Sequence, residues 1–328
     1  MVIDIHAHAL PEEFVRETAS RWPGRLEIRR IGGRERLVVD GRVLTSVVRP
    51  FTMVEAILET QAAAGVQITV LSPWVELLLG VDATTEEWIF PCLNEAMARW
   101  AQRHPDRLRI LGAVPLHDPR RAAQALEALM REPGIVGVEV PAQVRGELLG
   151  GDQFEPFWEV AEATRALVFI HPTGRGAASH ALEEYYLWNA VGNPLETALT
   201  ASHLIMAGVL ERHPRLKILL AHGGGTLLCL KGRLGRAWQQ RPEARRRLRE
   251  PPEESLRRLY FDTVTHDPEL LRAVVAFAGA DHVLLGSDAP FDMGLEEPVS
   301  FVRTLGFPSE VESAILGRNA ARLIGLEE

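Results

Sequence analysis

Five residues stand where they could do chemistry together: His6 and His8 in the N-terminal DIHAH, His171 in FIHP, His222 in AHGGG and Asp288 in GSDAP. Side chains two apart on a strand point the same way, so the imidazoles of the HxH pair share a face. Neutral imidazoles with a carboxylate suit zinc or a similar divalent metal, leaving a further coordination position for water. Water bound to such a cation loses a proton with a pKa of about 7. A neighbouring imidazole titrates in the same range and can take or return that proton.

Each of the five lies at the end of an apolar run of strand length, so the fold has to bring strand ends together. Strands are expected at residues 2–8, 67–73, 108–116, 135–141, 167–172, 217–222, 259–263 and 282–288. Most are rich in Val, Ile and Leu, as strands covered on both faces must be. Segments of helical period lie between them, for example residues 53–64, 85–103, 119–131 and 268–277. Eight strand-then-helix units predict an α/β fold, a closed (β/α)8 TIM barrel, whose active sites form at the C-terminal strand ends. An open doubly wound sheet is the alternative, but no GxGxxG follows the first strand to support it. Two excursions interrupt the pattern: a small β-hairpin insertion after the first strand, at residues 25–44, and extra helices after the fifth, within residues 174–213. Nothing resembles a linker, so residues 1–328 read as a single metal-dependent barrel domain.

Composition removes several classes of function. The 328 residues are 46% hydrophobic and 24% charged, the make-up of a globular core rather than a disordered chain. With 36 basic and 44 acidic side chains the formal net charge is -8, which disfavours nucleic acid as a partner. The basic run from Lys231 to Arg249 reads as a solvated helix or a subunit interface. Cys92 and Cys229 form no CxxC pattern and fit a reducing compartment. Nowhere do 18 apolar residues follow one another, and MVIDIHAHALPEE has no basic leader pattern, so a cytoplasmic protein without a membrane partner is expected.

The ordered set DIHAH, HPTG, AHGGG and GSDAPF, spread over nearly the whole chain, resembles the amidohydrolase superfamily in the branch around aminocarboxymuconate-semialdehyde decarboxylase. The resemblance implies that His6, His8, His171 and Asp288 ligate one divalent metal, usually zinc and in some relatives manganese. It implies that His222 is the unligated catalytic histidine, with Asp288 also able to accept a proton. Many amidohydrolases hold two metals bridged by a lysine on the fourth strand. The only lysines here, Lys217 and Lys231, lie elsewhere, so a mononuclear site is expected. The implied reaction is non-oxidative loss of CO2 from a small unsaturated or aromatic carboxylic acid, with no organic cofactor. The same apparatus could instead hydrolyse an amide, lactone or carbon-carbon bond, and the ligands alone do not separate the two.

Substrate contacts are implied in the same way. Arg49 in VVRPF and Arg233 in KGRLGR match the family's two carboxylate-binding arginines, the second reaching in from a neighbouring subunit, which implies a homodimer. Phe291 matches a pocket aromatic, and Trp74, after the second strand, either packs on a planar substrate or belongs to the core. Thr173 and Asn189 stand where the family has tryptophans, which implies a more polar pocket and a different acid. Asp4 is expected either behind a ligand histidine or as a partner for buried backbone. His266 is expected to support the site, or its neighbour Asp267 to cap a helix. Glu139 is a buried-acid candidate. Gly223, Gly224 and Gly225 fit no phosphate-loop spacing and are expected to let backbone pass close to the site.

Overall fold

The computed structural model describes residues 1–45, 48–79, 81–173 and 180–326. Eight parallel strands follow one another around a barrel: β1 (Ile3–Ala9), β2 (Ile68–Pro73), β3 (Leu108–Gly112), β4 (Ile135–Pro141), β5 (Leu167–His171), β6 (Lys217–Leu220), β7 (Tyr260–Asp262) and β8 (Val283–Leu284). β8 is short because beyond Leu284 the chain pairs with β1 through separate bonds. Ile5 N donates to Leu285 O at 2.9 Å, Asp288 N to His6 O at 2.7 Å and His8 N to Ala289 O at 2.7 Å. These bonds close the (β/α)8 barrel and hold together the two segments that bear His6, His8 and Asp288.

Apolar side chains on the strands serve two layers. Ile3, Ile5, Val70, Leu111, Leu167, Phe169, Leu219, Ala221 and Leu284 fill the interior, packed with Ala320, Ala321 and Leu323 of the helix Asn319–Ile324. Residues of the other parity, among them Val138, Val140, Val168, Ile170, Ile218 and Leu220, pack against the surrounding helices. Each fully buried Val, Leu or Ile contributes about 1.5–3 kcal/mol. The apolar layers therefore stabilise the scaffold, and the polar ring above them is free to serve chemistry. Asp-Pro pairs start two of the helices: Asp118 and Asp267 accept backbone N–H bonds at the heads of Pro119–Leu129 and Pro268–Ala278.

The pairing of β1 with β2 shifts register between Asp4 and Ala7. Ile3 and Ile5 face the interior before this bulge, and His6 and His8 face it after. Asp4 turns instead to the helix Val54–Ala63, where its carboxylate accepts from Gln61 Nε2 at 2.9 Å. The bulge breaks the period of two that would have set Asp4 on the histidine face.

The insertion after β1 follows a helix, Glu12–Arg21, and is a three-stranded antiparallel sheet rather than one hairpin: Leu26–Ile31, Arg34–Val39 and Arg42–Thr45. Its turns are Gly32–Gly33 and Asp40–Gly41, all four residues having the positive φ that two-residue primed turns require. After β5, residues 174–179, including the last residue of HPTG, lie outside the described residues. The remainder of that excursion is largely helical as expected: a wide turn, Trp188–Gly192, runs into the helix Asn193–Met206 and then Val209–Arg212. Among the described residues no helix is long and apolar enough to cross a membrane.

Candidate active site

At the C-terminal strand ends, His6, His8, His171 and Asp288 each bring one ligand atom to within 4.8 Å of the others, and all four are buried. The imidazoles are held from behind. His6 Nδ1 donates to Asp262 Oδ2 at 2.6 Å, and His171 Nδ1 donates to Pro172 O at 2.8 Å. His8 Nδ1 lies 3.2 Å from Ser72 Oγ and 3.5 Å from Glu139 Oε2. A carboxylate and a carbonyl can only accept, so His6 and His171 keep a proton on Nδ1 and turn Nε2 to the centre, where it can bind a cation once it carries no proton.

The donor set fits a divalent cation. His6 Nε2 and His8 Nε2 are 3.1 Å apart, with Asp288 Oδ1 at 3.3 and 3.2 Å from them. His171 Nε2 and Asp288 Oδ1 are buried without a hydrogen-bond partner among the described residues. Lone pairs and a carboxylate that converge in a dry site repel one another unless positive charge stands between them. Three nitrogens and one oxygen form a ligand set that zinc or manganese accepts.

Charge within the cluster is shared between His6 and Asp288. Burial pulls the His6 pKa down, but the charge of Asp288 and the bond to Asp262 outweigh it and lift the value to about 10. Burial holds His8 below the ordinary histidine value. For His171 burial, with the charges of His8 and His6, pushes it well below. Burial would raise the pKa of Asp288, yet His6 and the bond from His222 hold it well under the usual carboxylate range. A protonated His6 thus faces an ionised Asp288, and a metal would displace that proton.

His222 follows β6 and places Nε2 3.4 Å from Asp288 Oδ2, the oxygen that does not face His6 and His8. Its backbone is left-handed, φ 57°, and Gly223, Gly224 and Gly225 continue with positive φ. A Cβ on Gly225 would lie 2.2 Å from Pro194 O, so the glycines permit the close passage expected of them.

A cavity of about 490 Å³ lies beside β4, with Glu139 in its wall. A larger one, about 790 Å³, opens over His171, His222 and Asp288, and Trp74, Tyr186, Trp188, Asn189 and Phe291 line it. The Phe291 ring is 5.2 Å from that of His8 and 5.4 Å from that of Phe51. Trp74 lines the mouth and packs on the outer core. Trp188 supplies an aromatic wall one residue before Asn189. Arg49 begins the short helix Arg49–Thr52, is exposed, and lines a separate hollow with Glu12, Arg16, Glu27 and Glu35. Arg233 is exposed on the helix Leu227–Gln240. Within one chain neither arginine is among the residues lining the larger cavity.

Sequence reasoning missed Asp262. It singled out His266 beyond the same strand, and that residue is exposed on a loop while Asp267 caps the helix. An acid ending an apolar strand at the same barrel end as the other five groups was the signal available. Asp4 takes the second of its expected roles: its Oδ1 accepts from His6 N at 3.0 Å and Ser287 N at 3.1 Å, with no bond to an imidazole among the described residues.

A family model described as Amidohydrolase matches residues 3–326. The 2-amino-3-carboxymuconate-6-semialdehyde decarboxylase of Dictyostelium discoideum is 28% identical over 339 residues, covering 99% of this chain and 92% of that protein. The decarboxylase yanB of Aspergillus niger is 32% identical over 259 residues, 70% of this chain and 67% of that one. Among solved structures, the 5-carboxyvanillate decarboxylase of Novosphingobium aromaticivorans, complexed with manganese and 4-hydroxy-3-methoxy-5-nitrobenzoic acid, is similar with a TM-score of 0.83. It is 19% identical, covering 99% of this chain and 96% of that one. The family match runs from the first residue of β1 to just past the last helix, Asn319–Ile324, and so takes in every strand of the barrel: this chain belongs to the amidohydrolase family.

Proposed function

We propose that this protein is a metal-dependent non-oxidative decarboxylase of a small aromatic or unsaturated carboxylic acid. The observation that carries the reading is the buried convergence of His6, His8, His171 and Asp288, with His222 against the outer oxygen of that aspartate. Relatives named as decarboxylases, one aligned over 99% of the chain, favour CO2 loss over hydrolysis. The four ligands would hold one divalent ion, zinc or manganese, which supplies Lewis acidity and lowers the pKa of its water.

The chain's own residues then have distinct tasks. When the carbon-carbon bond to the carboxylate breaks, the electron pair stays on the substrate carbon, and a proton must replace CO2 there. His222 holds that proton on Nε2, and the ionised Asp288 stabilises the imidazolium until it is delivered. Trp74 and Phe291, joined by Trp188, stack on a planar substrate and exclude water. A carboxylate substrate calls for guanidinium partners, which bind it bidentately. We assign that task to Arg233 of a second subunit; Arg49, which lines a separate hollow in its own chain, is left without it.

A homodimer agrees with the surface beside Arg233. Val191, Leu195 and Leu199 are 38%, 42% and 51% exposed at the helix that packs against Leu227–Gln240. A contiguous apolar strip of this kind is what a second copy would cover. Both cysteines are free, in keeping with work in the reducing cytoplasm.

The test is a substrate screen with metal-loaded protein, using hydroxybenzoates and carboxymuconate-type acids beside amides and lactones. Metal-dependent release of CO2 supports the reading. Cleavage of an amide or lactone with no CO2 from any acid would replace it with a hydrolase.

A further inference from the structure

We infer that Asp262 is a positioning residue that fixes the ligand His6 and the turn bearing His222 as one unit, an inference that rests on the roles given to those histidines above. Asp262 ends β7, is wholly buried, and commits both oxygens. Oδ2 accepts from His6 Nδ1 at 2.6 Å and from His222 N at 3.0 Å. Oδ1 accepts from Gly223 N at 2.8 Å and Val264 N at 3.0 Å.

Two consequences follow from one carboxylate. Because Oδ2 can only accept, it keeps the His6 proton on Nδ1 and leaves Nε2 available to a metal. Because consecutive N–H groups of His222 and Gly223 point at the same anion, it also stabilises the left-handed turn. That conformation is unfavourable for a residue with a Cβ. Released from Asp262, His222 would favour a right-handed backbone that no longer aims its ring at Asp288. Gly286, two residues beyond β8, permits the arrangement, since a Cβ there would stand 3.0 Å from the Cβ atoms of both Asp262 and His6.

A residue that merely capped the β7 turn would share these backbone bonds, so the test turns on metal affinity. In Asp262→Asn, the amide oxygen can keep Gly223 and Val264, while the amide NH2 stands where Oδ2 stood. A donor there forces the His6 proton to Nε2, into the metal's place. Competition with a chromogenic chelator should show zinc bound about 10–100-fold more weakly than by the parent, with the metal-free proteins melting alike. Affinity within about twofold of the parent in a folded variant would overturn the inference, on the same scale. In Asp262→Ala, hydrogen exchange of peptides spanning residues 219–226 should accelerate, and unchanged exchange would detach His222 from the unit. Should Asp262→Asn not fold, Gly286→Ala presses on the same pair without altering any donor. A weaker loss of zinc affinity supports the inference, and none overturns it. If the parent itself takes up no near-stoichiometric zinc or manganese, the metal centre fails. Binding by the parent with unaltered binding by the variants fails the positioning role alone.

Discussion

His6, His8, His171 and Asp288 lie on strands or directly beyond one and are buried, and each imidazole is held by a further group behind it. Trp74, Tyr186, Trp188, Asn189 and Phe291 instead sit on loops around an open mouth. There the hydroxyl of Tyr186, donating to Asp292 Oδ1 at 3.3 Å, joins the loops after β5 and β8. The ring has little freedom to change without loss of its charge balance. The mouth can change residue by residue at small cost to the fold. Reaction class and choice of acid are therefore separable properties of the molecule.

The largest effect should come from the ring. His171→Ala removes an imidazole whose Nε2 has no hydrogen-bond partner among the described residues, so metal uptake and CO2 release should both vanish from elemental analysis and assay. The rate should fall below about a thousandth of the parent, since the ion supplies several kcal/mol. Retained turnover would dissolve the distinction between ring and mouth. His222→Ala should keep the metal yet lose about 10²–10⁴ in kcat. Loss of metal instead would place His222 among the ligands. pH offers a milder perturbation of the ring. His6 is held at about 10 while burial already keeps His8 and His171 neutral, so metal uptake releases one proton. Affinity should rise about tenfold per pH unit until the medium approaches the His6 value. A flat profile near neutrality would mean that His6 carries no proton to displace.

The two halves were unequally legible in the sequence. Apolar runs of strand length forced eight strands, and polar residues ending them forced a ring, because burial constrains residue type strongly there. The bulge in β1 depends on register with a strand some sixty residues away, so a strict period of two misplaced Asp4. Asp262 looks like any acid at a strand end until His6 and the His222 turn are folded onto it. The extra strand of the insertion was readable, since Asp40–Gly41 is a strong hairpin signal in addition to Gly32–Gly33. Loop residues obey no period, and motif spacing alone could not say that Trp188 would stand on the cavity wall beside Asn189.

The mouth should yield smaller and more selective effects. Arg233→Ala should raise KM for a dicarboxylate about tenfold with kcat little changed, the loss of one charge-assisted contact. The same variant mixed with a catalytically dead His222→Ala chain would regain part of the affinity if the arginine acts across a dimer. An unchanged KM would remove Arg233 from the site.

Trp188→Ala should have the least effect on the fold. The side chain is 38% exposed and stacks edge-on with Tyr186 at 5.0 Å, so its removal opens the mouth without leaving a sealed void. Thermal unfolding should shift by no more than about 0.5 kcal/mol, as for other surface positions. Phe169→Ala, in the barrel interior below His6, should cost about 3–5 kcal/mol. If Trp188 walls the substrate space, the ranking of acids by kcat/KM should change while metal affinity stays constant. A variant that loses metal together with substrate preference would mean that ring and mouth are coupled, and the loops would then share in setting the reaction itself.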